Sequence, residues 1–125
     1  MARYQHLPLY QLTFALVREI YRLKLKLPNA LKHDLGSMLF ASSLRCIRCV
    51  VLANGSEKKS RYLQEYLLEI EMLWTLSRLL YDLRGISKGE FQLLSERIAD
   101  LGPQVSAWLK WEKKRLKEAE EKAQN

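Results

Sequence analysis

The sequence predicts an all-α fold: an antiparallel, up-down-up-down four-helix bundle. Three observations carry this. Apolar residues recur three or four positions apart along nearly the whole chain, Pro and Gly number only three and five in 125 residues, and the breaks in the apolar rhythm are few and short. Short links make consecutive helices antiparallel neighbours. At 48% apolar and 28% charged, a chain of this length makes one globular domain with a single core. Residues 1–111 form that bundle, and residues 112–125, nine of them charged, form a solvated helical extension.

The first helix spans about Leu9–Leu27, with Leu9, Leu12, Leu16, Ile20, Leu23 and Leu27 on one face, Pro8 at its start and Pro28 at its stop. The second, about Leu31–Ala53, carries two apolar stripes. One is Leu35, Leu39, Cys46, Cys49/Val50 and Ala53, with the small polar Ser42 filling the turn between Leu39 and Cys46; the other is Phe40, Leu44, Ile47 and Val51. So wide an apolar arc predicts cover on more than one side, a subunit interface as well as a core. Asn54-Gly55 is the expected stop, with Gly55 left-handed. Ser56 or Ser60 then caps a third helix that runs to about Arg84, with Gly85 ending it. Ser87 and Glu90 have capping-box spacing for the fourth helix. There Phe91, Leu94, Ile98, Leu101, Val105 and Trp108 keep phase across Gly102-Pro103, which predicts one kinked helix rather than two.

No run approaches the roughly 20 apolar residues of a membrane span. Leu7–Val17 is interrupted by Pro8, Gln11 and Thr13, is followed by Arg18 and Glu19, and lacks a cleavage site, so it reads as mature helix. A cytoplasmic protein is expected, and two cysteines suit a reducing compartment.

Candidate chemistry is sparse. Cys46-Ile47-Arg48-Cys49 has CxxC spacing but falls mid-helix on the core stripe, without further ligands, so the pair reads as small hydrophobes rather than a redox or zinc site. His33 beside Asp34 and the distant His6 form no triad, no carboxylate pair sits in an apolar setting, and no Gly-rich phosphate loop occurs. The expectation is no enzyme, no metal and no cofactor.

Charge points elsewhere. The net charge is +7, and residues 1–61 hold eleven Lys/Arg against three Asp/Glu. Arg18, Arg22 and Lys26 step by four along the first helix, Arg45 and Arg48 sit one turn apart on the second, and Arg78 and Arg84 lie on the third. Solvated helix faces are the ordinary fate of such runs. Here few carboxylates accompany them, which favours a phosphate-facing surface that binds nucleic acid without reading its sequence. Trp74 and Trp108 fall on inner faces, Trp111 near the last apolar position fits either a core or a surface place, and no exposed aromatic platform is evident.

The segments LPLYQLTFALVREIYRLKLKLP, RCVVLANG, LLYDLRGIS and SERIADLGPQVSAWLKW resemble the accessory variability determinant proteins of diversity-generating retroelements. That four-helix-bundle family also includes proteins encoded by intervening sequences of bacterial 23S ribosomal RNA genes. The resemblance covers about Leu7 to Trp111. It implies a homopentameric barrel with a basic surface and no catalytic site. It also implies association with the retroelement's reverse transcriptase and with its template RNA or cDNA, in support of mutagenic reverse transcription. The basic positions carry over only as a charge pattern. The alternative within the family is the intervening-sequence type, whose basic loop between helices two and three is echoed in part by Asn54-Gly55-Ser56-Glu57-Lys58-Lys59.

Overall fold

The computed structural model describes residues 3–124, which hold helices and turns and no strand. A 3-10 turn, Tyr4–His6, precedes α1 (Pro8–Lys26). The chain continues through α2 (Asn29–Gly55), α3 (Lys59–Asp82), α4 (Lys88–Ala99) and α5 (Leu101–Gln124). Asp100, between the last two, keeps a right-handed helical backbone, and its N–H donates to the Glu96 carbonyl at 3.2 Å. Helices α4 and α5 therefore act as one rod with an interruption where Pro103 has no N–H to offer the Ala99 carbonyl. The apolar phase survives: Ile98, Leu101 and Val105 are all fully buried. Four rods result. α1 packs on α2, α2 on α3, α3 on α4 and α5, and those two close back on α1.

The core is Leu-rich, with Leu16, Ile20, Leu39, Leu63, Leu73, Leu80, Leu94 and Ile98 at its centre. Small hydroxyls let the helices approach closely. Ser43 and Ser77 donate back to the Phe40 and Leu73 carbonyls at 2.7 and 2.6 Å, so their polar atoms are satisfied within their own helices. One turn of α2, Lys32–Gly36, is a π-helix. A Cβ on Gly36 would come within 2.8 Å of Leu27 Cδ1, so the wide turn lies tight against the end of α1.

Several helix ends differ from their sequence-based expectation. Gly55 is the last residue of α2 and has no positive φ; the chain leaves through extended Ser56. The last carbonyls are satisfied by a side chain instead, for Lys59 Nζ donates to the Ala53 and Asn54 oxygens at 2.8 and 3.2 Å. Neither Ser56 nor Ser60 caps α3. Its N-cap is Lys58, without a side-chain bond, and the Ser56 hydroxyl accepts the Lys58 N–H at 2.9 Å.

α3 ends at Asp82, and the left-handed residue is Arg84 (φ 61°), not Gly85. The Gly85 N–H reaches the Leu80 carbonyl at 2.8 Å and the Arg84 N–H reaches Tyr81 at 3.0 Å, the pairing of a Schellman close. Gly85 is needed for space, since a Cβ there would lie 2.6 Å from Leu31 Cδ1 and 3.3 Å from the Leu80 oxygen. The capping box at α4 is as expected: Ser87 N–H donates to Glu90 at 2.8 Å and Glu90 N–H to Ser87 at 3.1 Å.

The second stripe of α2 stays outside the core. Phe40, Ile47 and Val51 are half-buried and Leu44 is exposed. Tyr21 of α1 meets Phe40 across the α1–α2 groove, ring centroids 5.4 Å apart, and Phe14 and Leu25 are exposed on α1. A separate apolar ridge runs down α3, where Leu68, Met72, Leu79 and Leu83 are exposed at helical spacing. By length and hydropathy (1.5 over its most apolar window) α2 is long and apolar enough to cross a membrane, contrary to the expectation that no run qualifies. In the bundle it packs on α1 and α3 and carries Arg45 and Arg48 midway along its length.

Candidate nucleic-acid interface

All seven basic residues singled out by charge pattern are exposed: Arg18, Arg22, Lys26, Arg45, Arg48, Arg78 and Arg84. They do not make one patch. Arg22 and Lys26 line a crevice between α1 and α4 with Glu19, Leu23, Glu90, Leu93 and Leu94. Arg45 lies at the α2–α3 seam, where its Nε donates to Glu69 at 2.8 Å. Between these two places runs the aromatic α1–α2 groove of Tyr21 and Phe40. Arg18 stands above the Phe14 ring at 5.5 Å, a cation–π contact that steadies the guanidinium while leaving it open to a phosphate.

Pairing separates the seven further. Glu69 accepts from Arg45 and from Ser42 Oγ (2.8 Å), and the hydrogen bond to Glu69 raises the Arg45 pKa above its ordinary value. Arg78 is bound to Asp82 at 3.0 Å. Among the described residues no carboxylate lies within 4.0 Å of Arg18, Arg22, Lys26, Arg48 or Arg84. These five can lose hydration to a polyanion without first breaking an ion pair. Arg45 and Arg78 are already paired: Glu69 reaches Arg45 from α3, which linear spacing along α2 could not reveal, whereas Asp82 stands four residues after Arg78 on the same helix.

A second basic region lies where sequence reasoning placed only a solvated extension. Residues 110–117 contain Lys110, Lys113, Lys114, Arg115 and Lys117 against Glu112 alone. Glu112 is fully buried, and Arg115 holds it with two bonds of 2.6 and 3.2 Å. Trp111, beside them and left open by the sequence, is 57% exposed and offers an aromatic ring at the surface; Trp74 and Trp108 are half-buried. The run of lysines next to a tryptophan was visible in the sequence, but the acids at Glu118, Glu120 and Glu121 masked it in the net charge of the segment.

The cysteines are core residues. Cys46 and Cys49 are buried free thiols, and burial pushes both pKa values up, Cys49 to about 11 and Cys46 further. Such thiols are poor nucleophiles. No group of three or more His, Cys, Asp or Glu side chains able to hold a metal occurs among the described residues. The chain matches no protein-family model, and no curated protein matches its sequence.

Proposed function

We propose that this chain is a non-catalytic accessory protein of a diversity-generating retroelement. On this reading it works in the cytoplasm, where its basic surface binds template RNA or cDNA together with the reverse transcriptase. The observation that carries the proposal is the set of exposed cations Arg18, Arg22, Lys26, Arg48 and Arg84 on an all-helical scaffold, none with a carboxylate within 4.0 Å among the described residues. The resemblance of the segments from Leu7 to Trp111 supplies the retroelement context. The intervening-sequence alternative leaned on the loop at residues 54–59, but Lys59 there is engaged in closing α2. A neighbouring reverse-transcriptase gene with paired repeats favours the first reading, and a position inside a ribosomal RNA gene the second.

The finer architecture belongs to the same proposal: antiparallel up-down-up-down helices assembled as a homopentameric barrel. Its support is the presence of two dissimilar exposed apolar faces, the α1–α2 groove and the α3 ridge. Dissimilar faces join head to tail, and head-to-tail contacts make a ring when their rotation closes, as a five-fold one does. Native mass spectrometry giving only a monomer near 14.7 kDa would remove the assembly.

The test of binding is salt dependence. Affinity for RNA should fall linearly on a log–log plot, with a slope of roughly −0.7 to −0.9 per phosphate neutralised, and vary little with base sequence. Charge reversal at Arg18, Arg22 and Arg48 should flatten that slope while the protein stays helical. Tight binding that ignores salt overturns the reading. So does a charge-reversed variant that holds RNA and reverse transcriptase as well as the parent.

A further inference from the structure

We infer that Trp111 and the lysines around it form a stacking site for an unpaired nucleotide, which makes this protein prefer single-stranded over duplex nucleic acid. The inference rests on the nucleic-acid reading above and goes beyond it, since phosphate contacts alone distinguish strands poorly.

Trp111 is the most exposed of the three tryptophans, at 57%. On one side it walls a groove with Leu7, Pro8, Ala107 and Trp108; on the other it borders Lys114, Arg115 and Glu118. Arg115 is committed to the buried Glu112. Lys110, Lys113, Lys114 and Lys117 are exposed and have no carboxylate within 4.0 Å among the described residues. The surface therefore asks for a partner that covers a flat aromatic ring and meets the Lys114 ammonium beside it, with Lys110, Lys113 and Lys117 further round the same helix. An unpaired nucleotide does both: its base stacks on the indole and its phosphates meet the lysines. A base inside a duplex is already stacked and cannot turn to the ring.

A lipid surface fits less well. An interfacial helix presents an apolar face on which its tryptophan is joined by other apolar residues. Here the apolar positions beyond the bundle, Leu116, Ala119 and Ala123, continue the phase of buried Leu101, Val105 and Glu112; Trp111 lies off that line, with Leu7, Pro8, Ala107 and Trp108 on one side of it and the charged Lys114, Arg115 and Glu118 on the other.

The experiment compares parent, Trp111→Ala and Trp111→Phe on a labelled single-stranded RNA 16-mer and on its duplex, by fluorescence anisotropy over a series of salt concentrations. Native mass spectrometry and circular dichroism run alongside. Trp111→Ala should weaken the single strand at least fivefold, leave duplex affinity within about twofold, and leave the salt slope unchanged, since no charge is removed; Trp111→Phe should retain most of the affinity. Equal loss on both RNAs, or no loss on either, overturns the site while leaving the phosphate-binding reading intact. Loss of the parent's oligomeric state in Trp111→Ala makes Trp111 a subunit contact and overturns the site. A blue shift of parent emission with phosphatidylserine vesicles but not with RNA also overturns it, in favour of a membrane surface. A parent that binds neither RNA overturns both readings.

Discussion

The phenol oxygen of Tyr66 stands 2.5 Å from Oγ1 of Thr13, and both residues are fully buried. Thr13 gives its own hydroxyl proton to the Leu9 carbonyl at 2.6 Å, so Tyr66 is the donor between them. This relay ties α3 to the first turns of α1. Tyr66→Phe leaves Thr13 bonded to Leu9 and should cost about 1 kcal/mol. Thr13→Val strands a buried phenol proton and should cost about 1–3 kcal/mol. Urea denaturation of the two variants checks the ranking, and the reverse order would make Thr13 the donor.

Arg84 holds a left-handed backbone that a side chain disfavours by about 1–2 kcal/mol. Arg84→Gly relieves that strain at some cost in unfolded-state entropy, so stability should rise by up to about 1 kcal/mol. Gly85→Ala should lower it by roughly 1 kcal/mol or more, because the new Cβ meets Leu31 and the Leu80 oxygen. Thermal melts of the pair distinguish this from a left-handed Gly85, which would make Arg84→Gly unrewarding. If Arg84 also contacts phosphate, the stabilised variant will bind RNA less tightly.

Glu112 is a buried carboxylate held by a half-exposed Arg115. Removing the arginine leaves that charge without its partner, so Arg115→Ala should lower Tm. Glu112→Leu extends the buried line of Leu101 and Val105 and removes the desolvation penalty, and should be neutral or stabilising by about 1 kcal/mol. A Glu112→Leu variant that melts well below the parent would contradict this.

Burial keeps the Cys49 thiol neutral up to about pH 11, against an ordinary value of 9.0. For a group whose folded pKa is raised, the stabilising contribution is whole below the unfolded value and is lost as pH climbs through the folded one. Stability should therefore fall across about pH 9 to 11, and fall more slowly in Cys49→Ala than in the parent, by up to roughly 1.4 kcal/mol per pH unit. At neutral pH neither thiol should react with iodoacetamide until the protein unfolds.

What the sequence made legible was periodicity. The three-and-four spacing located the helices, found the Ser87–Glu90 box, and carried the fourth rod through Pro103. It failed where a helix end is decided by a partner far away in space or by a side chain reaching backwards. Nothing in Asn54-Gly55 says that Lys59 will close α2, and nothing near Gly85 says that Leu31 lies against it. The same limit applies to charge. Spacing showed that few carboxylates accompany the cations of α1, but it could not show that Glu69 reaches Arg45 from another helix, 24 residues on. Trp111 stayed open because its exposure depends on where the bundle stops, and periodicity alone does not mark that point.

Beyond Glu112, residues 113–124 form helix with every side chain exposed. A dozen such residues extend about 18 Å at 1.5 Å each, and an isolated helix of that length is only marginally stable in water. Amide protons there should exchange orders of magnitude faster than those of α3, and trypsin should trim the chain back toward Lys113 while sparing the bundle. A bound polyanion would slow both clocks, so exchange and cleavage rates can report occupancy of the rod without any label on the ligand.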